Sequence, residues 1–278
     1  MENKETVLVT GGSGFIGSHC IIQLAAAGYN VKATVRDLSR TNKLNQILLT
    51  GLEKHEGKSD LSVDWQVANL SSDEGWDEAV KGCDYVLHVA SPIGMELPKN
   101  EDEMVKPAVE GTLRVLKAAS KAGVKRVVIT SSVAAIMYGT DKQGVFNEED
   151  WTNPESKTTN VYAKSKTLAE QAAWDFIKKD TTGMELSTVL PAMVFGPILE
   201  EDFGVSVGAI LDMMNGKYPI VPNWDMGVVD VRDVASLELL AMTKPEAAGK
   251  RFVCSAENMF MKDQNEYLSE IFPESASK

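Results

Sequence analysis

Two side chains that could take part in proton transfer lie four residues apart in the segment NVYAKSKTLAE, residues 160–170. The segment has no Gly or Pro and is rich in Ala, Leu, Lys and Glu, so it predicts a helix with Tyr162 and Lys166 on one face. An ammonium group beside a phenol favours the phenolate and lowers the pKa of the phenol, which suits a proton donor. The alternative is a half-buried tyrosine beside a solvated lysine, because this spacing also arises by chance.

A second pair with the same spacing, Tyr138 and Lys142, serves as a comparison. The residues between them are Gly139, Thr140 and Asp141, which favour a turn rather than a helix. A turn would not hold the two side chains on a common face. We therefore assign the candidate proton-transfer pair to the segment 160–170.

A glycine-rich turn near the N-terminus could bind a ligand that contains phosphate. The run TVLVTGGSGFIGSHCIIQLAAAGYNVKATVR, residues 6–36, predicts a strand, a turn, a helix and a second strand. The first glycine of the turn would permit the tight bend, the second the approach of a pyrophosphate, and the third the packing of helix on sheet. The helix amino end would face the phosphates. The sequence therefore predicts a dinucleotide site, against the alternative of an ordinary glycine-rich turn, at Gly11, Gly14, Phe15, Ile16 and Gly17.

The end of the second strand indicates which dinucleotide would bind. An acidic residue at this corner would accept a hydrogen bond from the ribose 2'-hydroxyl of NAD, whereas a basic residue would pair with the 2'-phosphate of NADP. Arg36 occupies the corner and Lys43 follows one short segment later. The pattern favours NADPH, with NAD as the less favoured cofactor. The alternative is that Arg36 is a surface residue paired with Asp37.

The rest of the chain must position these residues, and its pattern indicates an α/β fold. Short apolar runs alternate with helical patterns, which is typical of a parallel sheet covered by helices on both faces. We predict strands at 6–10, 31–35, 61–68, 84–90, 125–130 and 185–190, and helices near 15–28, 41–50, 73–81, 101–122 and 160–179. Segment 52–60 is polar and predicts a surface connection. The expected fold class is a doubly wound parallel (Rossmann) sheet.

After Pro191 the alternation breaks, because Gly and Pro become frequent up to Pro222. This part predicts loops and short helices against the carboxyl edge of the sheet. We expect a dinucleotide-binding domain at 1–190, to which 228–254 returns, and a small substrate lobe made of 191–227 and 255–278. Apolar residues of the lobe that could line a pocket are Phe195, Phe203, Val207, Ile210, Met214, Tyr218 and Trp224.

Composition excludes several classes of function. The 278 residues carry a net charge of -12 without a basic cluster, which argues against binding to nucleic acid or to an anionic membrane. No apolar run approaches the roughly 20 residues that a transmembrane helix needs, so we expect a cytoplasmic protein without a leader or membrane anchor. The three cysteines and three histidines are dispersed, which predicts buried thiols and no metal site.

Several quoted segments together resemble the extended branch of the short-chain dehydrogenases/reductases. They are VTGGSGFIGSH, ATVRD, VLHVASP, KPAVEGTLRVLKAA, VKRVVITSSVAAI, YAKSKTLAEQAAWDF, LPAMVFGP and VDVRDVA. Within that branch the chain looks most like the dihydroflavonol reductases and the yeast-type methylglyoxal and carbonyl reductases. The likeness runs from about residue 5 to residue 260.

The resemblance implies a Ser-Tyr-Lys triad that reduces aldehydes or ketones to alcohols with NADPH. The serine would be Ser132, with Ser131 as a less favoured neighbour, beside Tyr162 as proton donor and Lys166 as the group that lowers its pKa and holds the nicotinamide ribose. Further cofactor contacts implied by the family fall on Asn69, Leu70, Ala90, Ser91, Thr130, Pro191 and Val194.

The resemblance also leaves exceptions and alternatives. Asn69 stands where relatives commonly have Asp, and Ala108 to Glu110 lack the Asn that many relatives use in a proton relay. Relatives also continue for several dozen residues beyond the last one given, which leaves two alternatives: a small, truncated substrate lobe with a smaller or more open pocket, or a tail that this sequence does not include. We expect His88 to be a hydrogen-bonded core residue and Asp233 to lie at a helix start, with a helix cap and a functional role as the alternatives.

Two other functions stay open at this stage. The chain could be an epimerase, dehydratase or steroid-type dehydrogenase of the same branch, or a non-catalytic sensor that binds NADP. The expected partner is a small carbonyl compound of moderate size and apolar character. The helices 101–122 and 160–179 could form a dimer face, so both a monomer and a homodimer are consistent with the sequence.

Overall fold

The computed structural model describes residues 4–58, 60–92, 98, 100–199, 203–217 and 224–274, and these contain ten strands and eight α-helices. The strands are β1 Thr6–Thr10, β2 Asn30–Val35, β3 Val63–Val67, β4 Tyr85–His88, β5 Arg126–Thr130, β6 Glu185–Pro191, β7 Met193–Phe195, β8 Asp225–Asp230, β9 Arg251–Cys254 and β10 Glu257–Phe260. The α-helices are α1 Phe15–Ala27, α2 Thr41–Glu56, α3 Trp76–Val80, α4 Asp102–Ala122, α5 Val161–Ile177, α6 Gly204–Met214, α7 Val231–Thr243 and α8 Met261–Ile271.

Seven strands form one parallel sheet in the order β3-β2-β1-β4-β5-β6-β9. The chain runs outward from β1 to β3 and then returns to place β4 on the other side of β1. This reversal brings the carboxyl ends of β1 and β4 side by side, and open α/β sheets bind ligands at such a point. The predicted doubly wound α/β fold is confirmed.

The two faces of the sheet are covered by separate sets of helices. On one face α1, α2 and α7 pack together, and their apolar residues share a cluster with Val7 and Val9 of β1. On the other face α3, α4 and α5 share a second cluster with Leu8. Successive residues of β1 thus enter opposite cores, as the two-residue period of a strand requires. A central strand with both faces covered explains why β1 is apolar throughout.

The second helix is longer than the sequence predicted. It continues past residue 50 to Glu56, because Leu44, Leu48 and Leu52 recur at helical spacing and all three are buried. The prediction of a surface connection is therefore wrong for residues 52–56. The polar letters of that run belong to the exposed side of the last helical turn.

A small second sheet lies beyond the end of β6. Strand β8 pairs with β7 in parallel and with β10 in antiparallel orientation. The sequence predicted loops and short helices up to residue 227 and a return of strand and helix signals from 228, so it missed β7 and the start of β8, because these strands are short and β8 begins with Asp-Met-Gly. The carboxylate of Asp230, at the end of β8, accepts from the backbone N–H of Arg232 and caps α7. The expectation that Asp233 caps this helix is wrong, because Asp233 lies inside its first turn.

Two further expectations concern cysteines and membranes. Cys20, Cys83 and Cys254 are all free and buried, as the sequence predicted. Among the helices of the described residues, none is both long enough and apolar enough to cross a bilayer.

Candidate active site

The glycine turn between β1 and α1 has a geometry that only glycine permits. Gly11 adopts a φ of 67°, in the left-handed region, and its carbonyl accepts from the N–H of Gly14 at 3.0 Å. A Cβ on Gly17 would lie 2.3 Å from the Gly11 carbonyl oxygen, so the helix could not approach the turn with a side chain there. Gly14 begins the helix without a side-chain cap, which leaves the first N–H groups of α1 to bind an anion. Phe15 and Ile16 are the first two residues of that helix.

The corner that the sequence predicts to discriminate between dinucleotides follows β2 directly. Arg36 is exposed there, and Asp37 accepts from the N–H of Ser39 at 2.9 Å to begin a 3₁₀ helix, Leu38–Arg40. The carboxylate of Asp37 therefore accepts hydrogen bonds from Ser39 and is not committed to an ion pair with Arg36. Lys43 lies in the first turn of α2, just beyond the 3₁₀ helix.

Four predicted contacts lie around the ends of β3 and β4. The side-chain oxygen of Asn69 accepts from the N–H of Ser71 at 3.0 Å, so the amide is oriented by its own turn. Leu70 packs against α4 so closely that a Cβ on Gly111 would lie 2.8 Å from it. Ala90 and Ser91 follow β4 and, together with Leu70, line a pocket that also reaches α5.

His88 at the end of β4 is a buried, hydrogen-bonded residue, as the sequence predicted. Its Nδ1 lies 2.8 Å from Oγ1 of Thr10, which also accepts from the N–H of Ala90 at 3.0 Å. Burial, together with the charge of Lys166, lowers the pKa of His88 to about 3, so its imidazole is neutral.

The two serines after β5 have different partners. Ser131 donates from its hydroxyl to Glu170 at 2.6 Å. Ser132 accepts from the N–H of Ala134 at 3.1 Å, and its side chain lies near enough to Tyr162 to lower the pKa of the phenol. The structure thus brings Ser132 to the tyrosine and commits Ser131 to a buried carboxylate.

Tyr162 and Lys166 lie on the first two turns of α5, as predicted. The helix begins at Asn160, whose side chain accepts from the N–H of Ala163 at 2.8 Å, and this cap orients the first turn. The ammonium group of Lys166 is buried and donates to the main-chain carbonyl of Thr130 at 3.2 Å. The comparison pair differs, because no helix contains Tyr138 or Lys142 and Lys142 pairs with Asp150.

The electrostatics of the pair differ from the sequence-based expectation. Burial raises the pKa of Tyr162. The Ser132 hydroxyl opposes this rise, whereas the nearby Tyr138 raises the pKa further. Burial also lowers the pKa of Lys166 to about 8, against the raising effect of the carboxylates of Glu170 and Glu238. The prediction that the lysine lowers the pKa of the phenol is therefore wrong for this arrangement, in which the ammonium is bonded to Thr130.

The remaining predicted contacts lie where β5, β6 and β7 meet. Thr130 ends β5, and its hydroxyl donates to Glu238 of α7 at 2.6 Å. Pro191 ends β6. Val194 of β7 donates its backbone N–H to the hydroxyl of Ser206 at 3.2 Å, so that N–H is already engaged by α6.

The sequence profile of the NAD dependent epimerase/dehydratase family matches residues 7–255, nearly the whole described chain. The chain belongs to this family. The resemblance to the extended short-chain dehydrogenases/reductases is thereby confirmed, and the residues matched run from β1 to the end of β9.

Several proteins that resemble the chain are named as reductases. Cinnamoyl-CoA reductase CAD2 of Medicago truncatula is 36% identical over 274 residues, covering 96% of this chain and 81% of that protein. Dihydroflavonol 4-reductase of Arabidopsis thaliana is 34% identical over 283 residues, covering 99% of this chain and 71% of that protein. The solved structure of yeast methylglyoxal/isovaleraldehyde reductase Gre2 complexed with NADPH aligns with a TM-score of 0.81 at 30% identity, covering 96% of this chain and 83% of that one.

This family member contains two buried carboxylates that the sequence analysis did not single out. Glu170 lies one turn after Lys166 on α5 and accepts from Arg251 at 2.7 Å, in a buried ion pair. The guanidinium of Arg251 also stacks 3.7 Å above the ring of Trp151. The second carboxylate, Glu238, falls within the apolar stripe of α7, where its helical spacing from the buried Val231 and Val234 was a visible signal.

The apolar residues proposed to line a substrate pocket divide into two groups. Phe195, Phe203 and Val207 pack in the core cluster beside α1 and therefore serve the fold. Ile210 and Met214 are partly exposed on α6, Trp224 is 64% exposed, and Tyr218 lies outside the described residues.

Proposed function

We propose that this chain is an NADPH-dependent reductase that converts aldehydes or ketones to alcohols. The observation that carries the proposal is that Ser132 acts on the pKa of the Tyr162 phenol, while the buried ammonium of Lys166 lies one turn along the same helix and donates to Thr130. The reductase names of the relatives and the NADPH in the yeast structure support the same activity. The named relatives act on different carbonyl compounds, so the activity class is better supported than any one substrate.

The residues around the glycine turn fit a dinucleotide. Addition of a Cβ at Gly14 would meet only the Gly11 oxygen, at 3.4 Å, so the face of this residue is open to a ligand. We assign the pyrophosphate to the turn and the amino end of α1, and the adenine side to Asn69, Leu70, Ala90 and Ser91. Arg36 and Lys43 carry the positive charge that an adenosine 2'-phosphate needs, which favours NADPH over NAD.

The cofactor and the protein side chains supply different parts of the reaction. When bound, reduced nicotinamide supplies a hydride, with its electron pair, to the carbonyl carbon. Tyr162 donates its phenol proton to the carbonyl oxygen, and the same oxygen accepts a hydrogen bond from Ser132. The high pKa of the buried phenol keeps this proton in place before substrate arrives. Lys166 holds the ribose beside Thr130, while Pro191 and Val194 lie on the carboxamide side.

The substrate proposed here is a carbonyl compound of moderate size and apolar character. We place its pocket between the end of β5, in the domain of residues 1–190 and 228–254, and the lobe made of 191–227 and 255–278. Ile210 and Met214 are partly exposed on α6, which suits an apolar ligand.

Replacement of Tyr162 by Phe tests the proposal. The variant should bind NADPH within about twofold of the wild type and lose about 10²–10⁴-fold in carbonyl turnover, because only the proton donor is removed. Turnover is followed by the loss of NADPH absorbance with a panel of aldehydes and ketones. Tyr267→Phe, at an exposed position of α8, is the matched control and should keep full activity.

Two outcomes would decide against this function. Unimpaired reduction by the Tyr162→Phe protein with intact cofactor binding would exclude the assigned proton donor. Tight NADPH binding by the wild type without turnover of any carbonyl in the panel would instead favour a non-catalytic sensor.

A further inference from the structure

Glu238 is a carboxyl group buried beneath the candidate site with only part of its hydrogen-bonding capacity used. Its residue is 0% exposed, one oxygen accepts from the Thr130 hydroxyl at 2.6 Å, and the other has no hydrogen-bond partner among the described residues. A buried carboxyl with an unpaired oxygen destabilises a fold. An apolar residue would fit the buried stripe of α7 better, so the presence of this group needs a reason outside packing.

Thr130 connects this carboxyl to Lys166. Its main-chain carbonyl accepts from the lysine ammonium, and its hydroxyl donates to Glu238. The lysine belongs to α5 on one face of the sheet, and the carboxyl belongs to α7 on the other. The two charged groups therefore meet at a single residue, where β5 ends.

The other ionisable groups around Glu238 do not provide a counter-charge. Those that interact with it electrostatically, besides the lysine, are the thiols of Cys20 on α1 and Cys254 on β9, and burial raises the pKa of both. Other polar groups lie around α7, and most of them already have partners. Neutral His88 on β4 is hydrogen-bonded to Thr10, and Arg126 on β5 is paired with Glu185 of β6. Arg232 pairs with Asp230 where β8 meets α7, and Glu246 is exposed on the 3₁₀ helix Pro245–Ala247.

The second carboxylate near Lys166, that of Glu170, already has a cation of its own, Arg251. Glu170 accepts from Ser131, Thr188 and Trp174, and it forms a buried ion pair with Arg251. It raises the pKa of Lys166 more strongly than Glu238 does, but its charge is shared with the guanidinium. Lys166 is the cation that acts on Glu238, and this lowers the pKa of the carboxyl against the larger effect of burial.

We propose that Glu238 is a positioning residue for Lys166: its carboxylate, held by the Thr130 hydroxyl, keeps the buried lysine in the ammonium form. This inference rests on the proposed function, which assigns Lys166 to the nicotinamide ribose. A buried lysine loses its proton readily unless an opposite charge lies near it. A neutral amine would lose its attraction for the electron-rich ribose oxygens.

Replacement of Glu238 by Gln tests the proposal, with NADPH affinity measured by fluorescence titration between about pH 6 and pH 9.5. Near pH 6 most wild-type molecules carry a protonated Glu238, because its pKa is about 7, so the variant should match the wild type within about twofold. At about pH 8.5 the wild-type carboxyl is ionised, and the Gln variant should bind NADPH about 3- to 10-fold more weakly. The alkaline limb of its affinity profile should begin about 0.5–1 pH unit lower.

Three variants accompany this measurement. Glu238→Asp keeps the charge and should restore most of the wild-type profile, whereas exposed Glu246→Gln should leave the profile unchanged. Lys166→Met should remove the alkaline limb, since the titrating lysine is gone. Circular dichroism checks that each variant is folded, and if the Gln variant does not fold, Glu238→Leu serves with the same expected shift.

The proposal is overturned if a folded Gln or Leu variant keeps the wild-type limb, or if the limb persists in the Lys166→Met protein. Because the readout is cofactor affinity, it does not depend on carbonyl turnover. A wild type that binds NADPH but reduces no carbonyl would contradict the proposed reductase function. The pH profile of NADPH affinity would still test the role of Glu238.

Discussion

The side chain of Ser132 lies near enough to the phenol of Tyr162 to lower the pKa of that phenol, although 29 residues separate the two in the sequence. Ser132 begins a 3₁₀ helix, Val133–Ala135, directly after β5, and Tyr162 lies in the first turn of α5. The neighbouring Ser131 points to Glu170 instead. Two adjacent serines therefore have separable roles, and substitution can distinguish them.

We expect Ser132→Ala to lower kcat by about 10- to 100-fold, because one hydrogen bond to the reacting oxygen is lost. Its unfolding free energy should fall by about 1 kcal/mol, because the N–H of Ala134 loses its acceptor. Ser131→Ala should affect stability more and kcat less: its loss leaves a buried carboxylate oxygen short of a donor, which costs about 1–3 kcal/mol of unfolding free energy. Steady-state kinetics and thermal denaturation measure both. Equal kinetic losses in the two variants would contradict the assignment.

The choice of dinucleotide is predicted to depend on Arg36. Arg36→Gln should weaken NADPH binding by about tenfold or more, because the guanidinium no longer pairs with the 2'-phosphate, while NADH binding stays unchanged. Isothermal titration with each cofactor measures the ratio. Lys54→Gln removes the same charge at an exposed position near the end of α2 and should leave both affinities unchanged. A parallel loss of NADH and NADPH affinity in the Arg36 variant would show a structural role instead.

The parts of the fold that sequence could predict are those with local signals. Alternation in the strands, glycines at the turn, and the helical spacing of Tyr162 and Lys166 all concern residues close together in the chain. Such signals gave the sheet, the first turn and the position of the tyrosine correctly. The end of α2 was missed because polar letters on its exposed side hid the buried Leu52.

The parts that sequence could not predict depend on partners far apart in the chain. Glu238 meets Thr130 across 108 residues, and Glu170 meets Arg251 across 81. The helical spacing of Glu238 indicated its burial, but a single sequence contains no signal for the distant partner of either acidic residue. For the same reason the direction of the pKa shift at Tyr162 was wrong: it depends on burial and on the bond between Lys166 and Thr130.

Two glycines of the turn should respond differently to Ala. At Gly17 a Cβ would lie 2.3 Å from backbone oxygen, so Gly17→Ala must displace α1 and should lower the unfolding free energy by about 1–3 kcal/mol. At Gly14 a Cβ meets its nearest atom at 3.4 Å, so Gly14→Ala should fold normally and lose NADPH affinity, because the methyl group covers the open face of the turn. Denaturant unfolding and NADPH titration separate the two. Wild-type affinity in a folded Gly14→Ala protein would contradict a pyrophosphate at this turn.

The ion pair between Arg251 and Glu170 is predicted to support the fold beneath the site. Arg251→Met leaves a carboxylate buried without its cation and should cost about 3–5 kcal/mol of unfolding free energy. The exposed pair of Lys106 with Asp102 is the matched control, and Lys106→Met should leave the melting temperature nearly unchanged. Thermal denaturation at neutral pH compares the two. Similar melting temperatures for both variants would show that the buried pair adds no stability.

The stability of the protein should also depend on pH through Glu238. Burial raises the pKa of its carboxyl from the ordinary 4.5 to about 7, so the folded state retains this proton more tightly than the unfolded chain does. The resulting stabilisation is fully present below about pH 4.5 and is lost as pH rises through about 7; the whole shift corresponds to roughly 3 kcal/mol. Glu238→Gln removes the titration, so the unfolding free energy of the variant relative to the wild type should rise between about pH 5 and pH 8. Urea unfolding at these two pH values measures the change, with Glu246→Gln as the exposed control, and a difference independent of pH would show that the carboxyl does not titrate in this range.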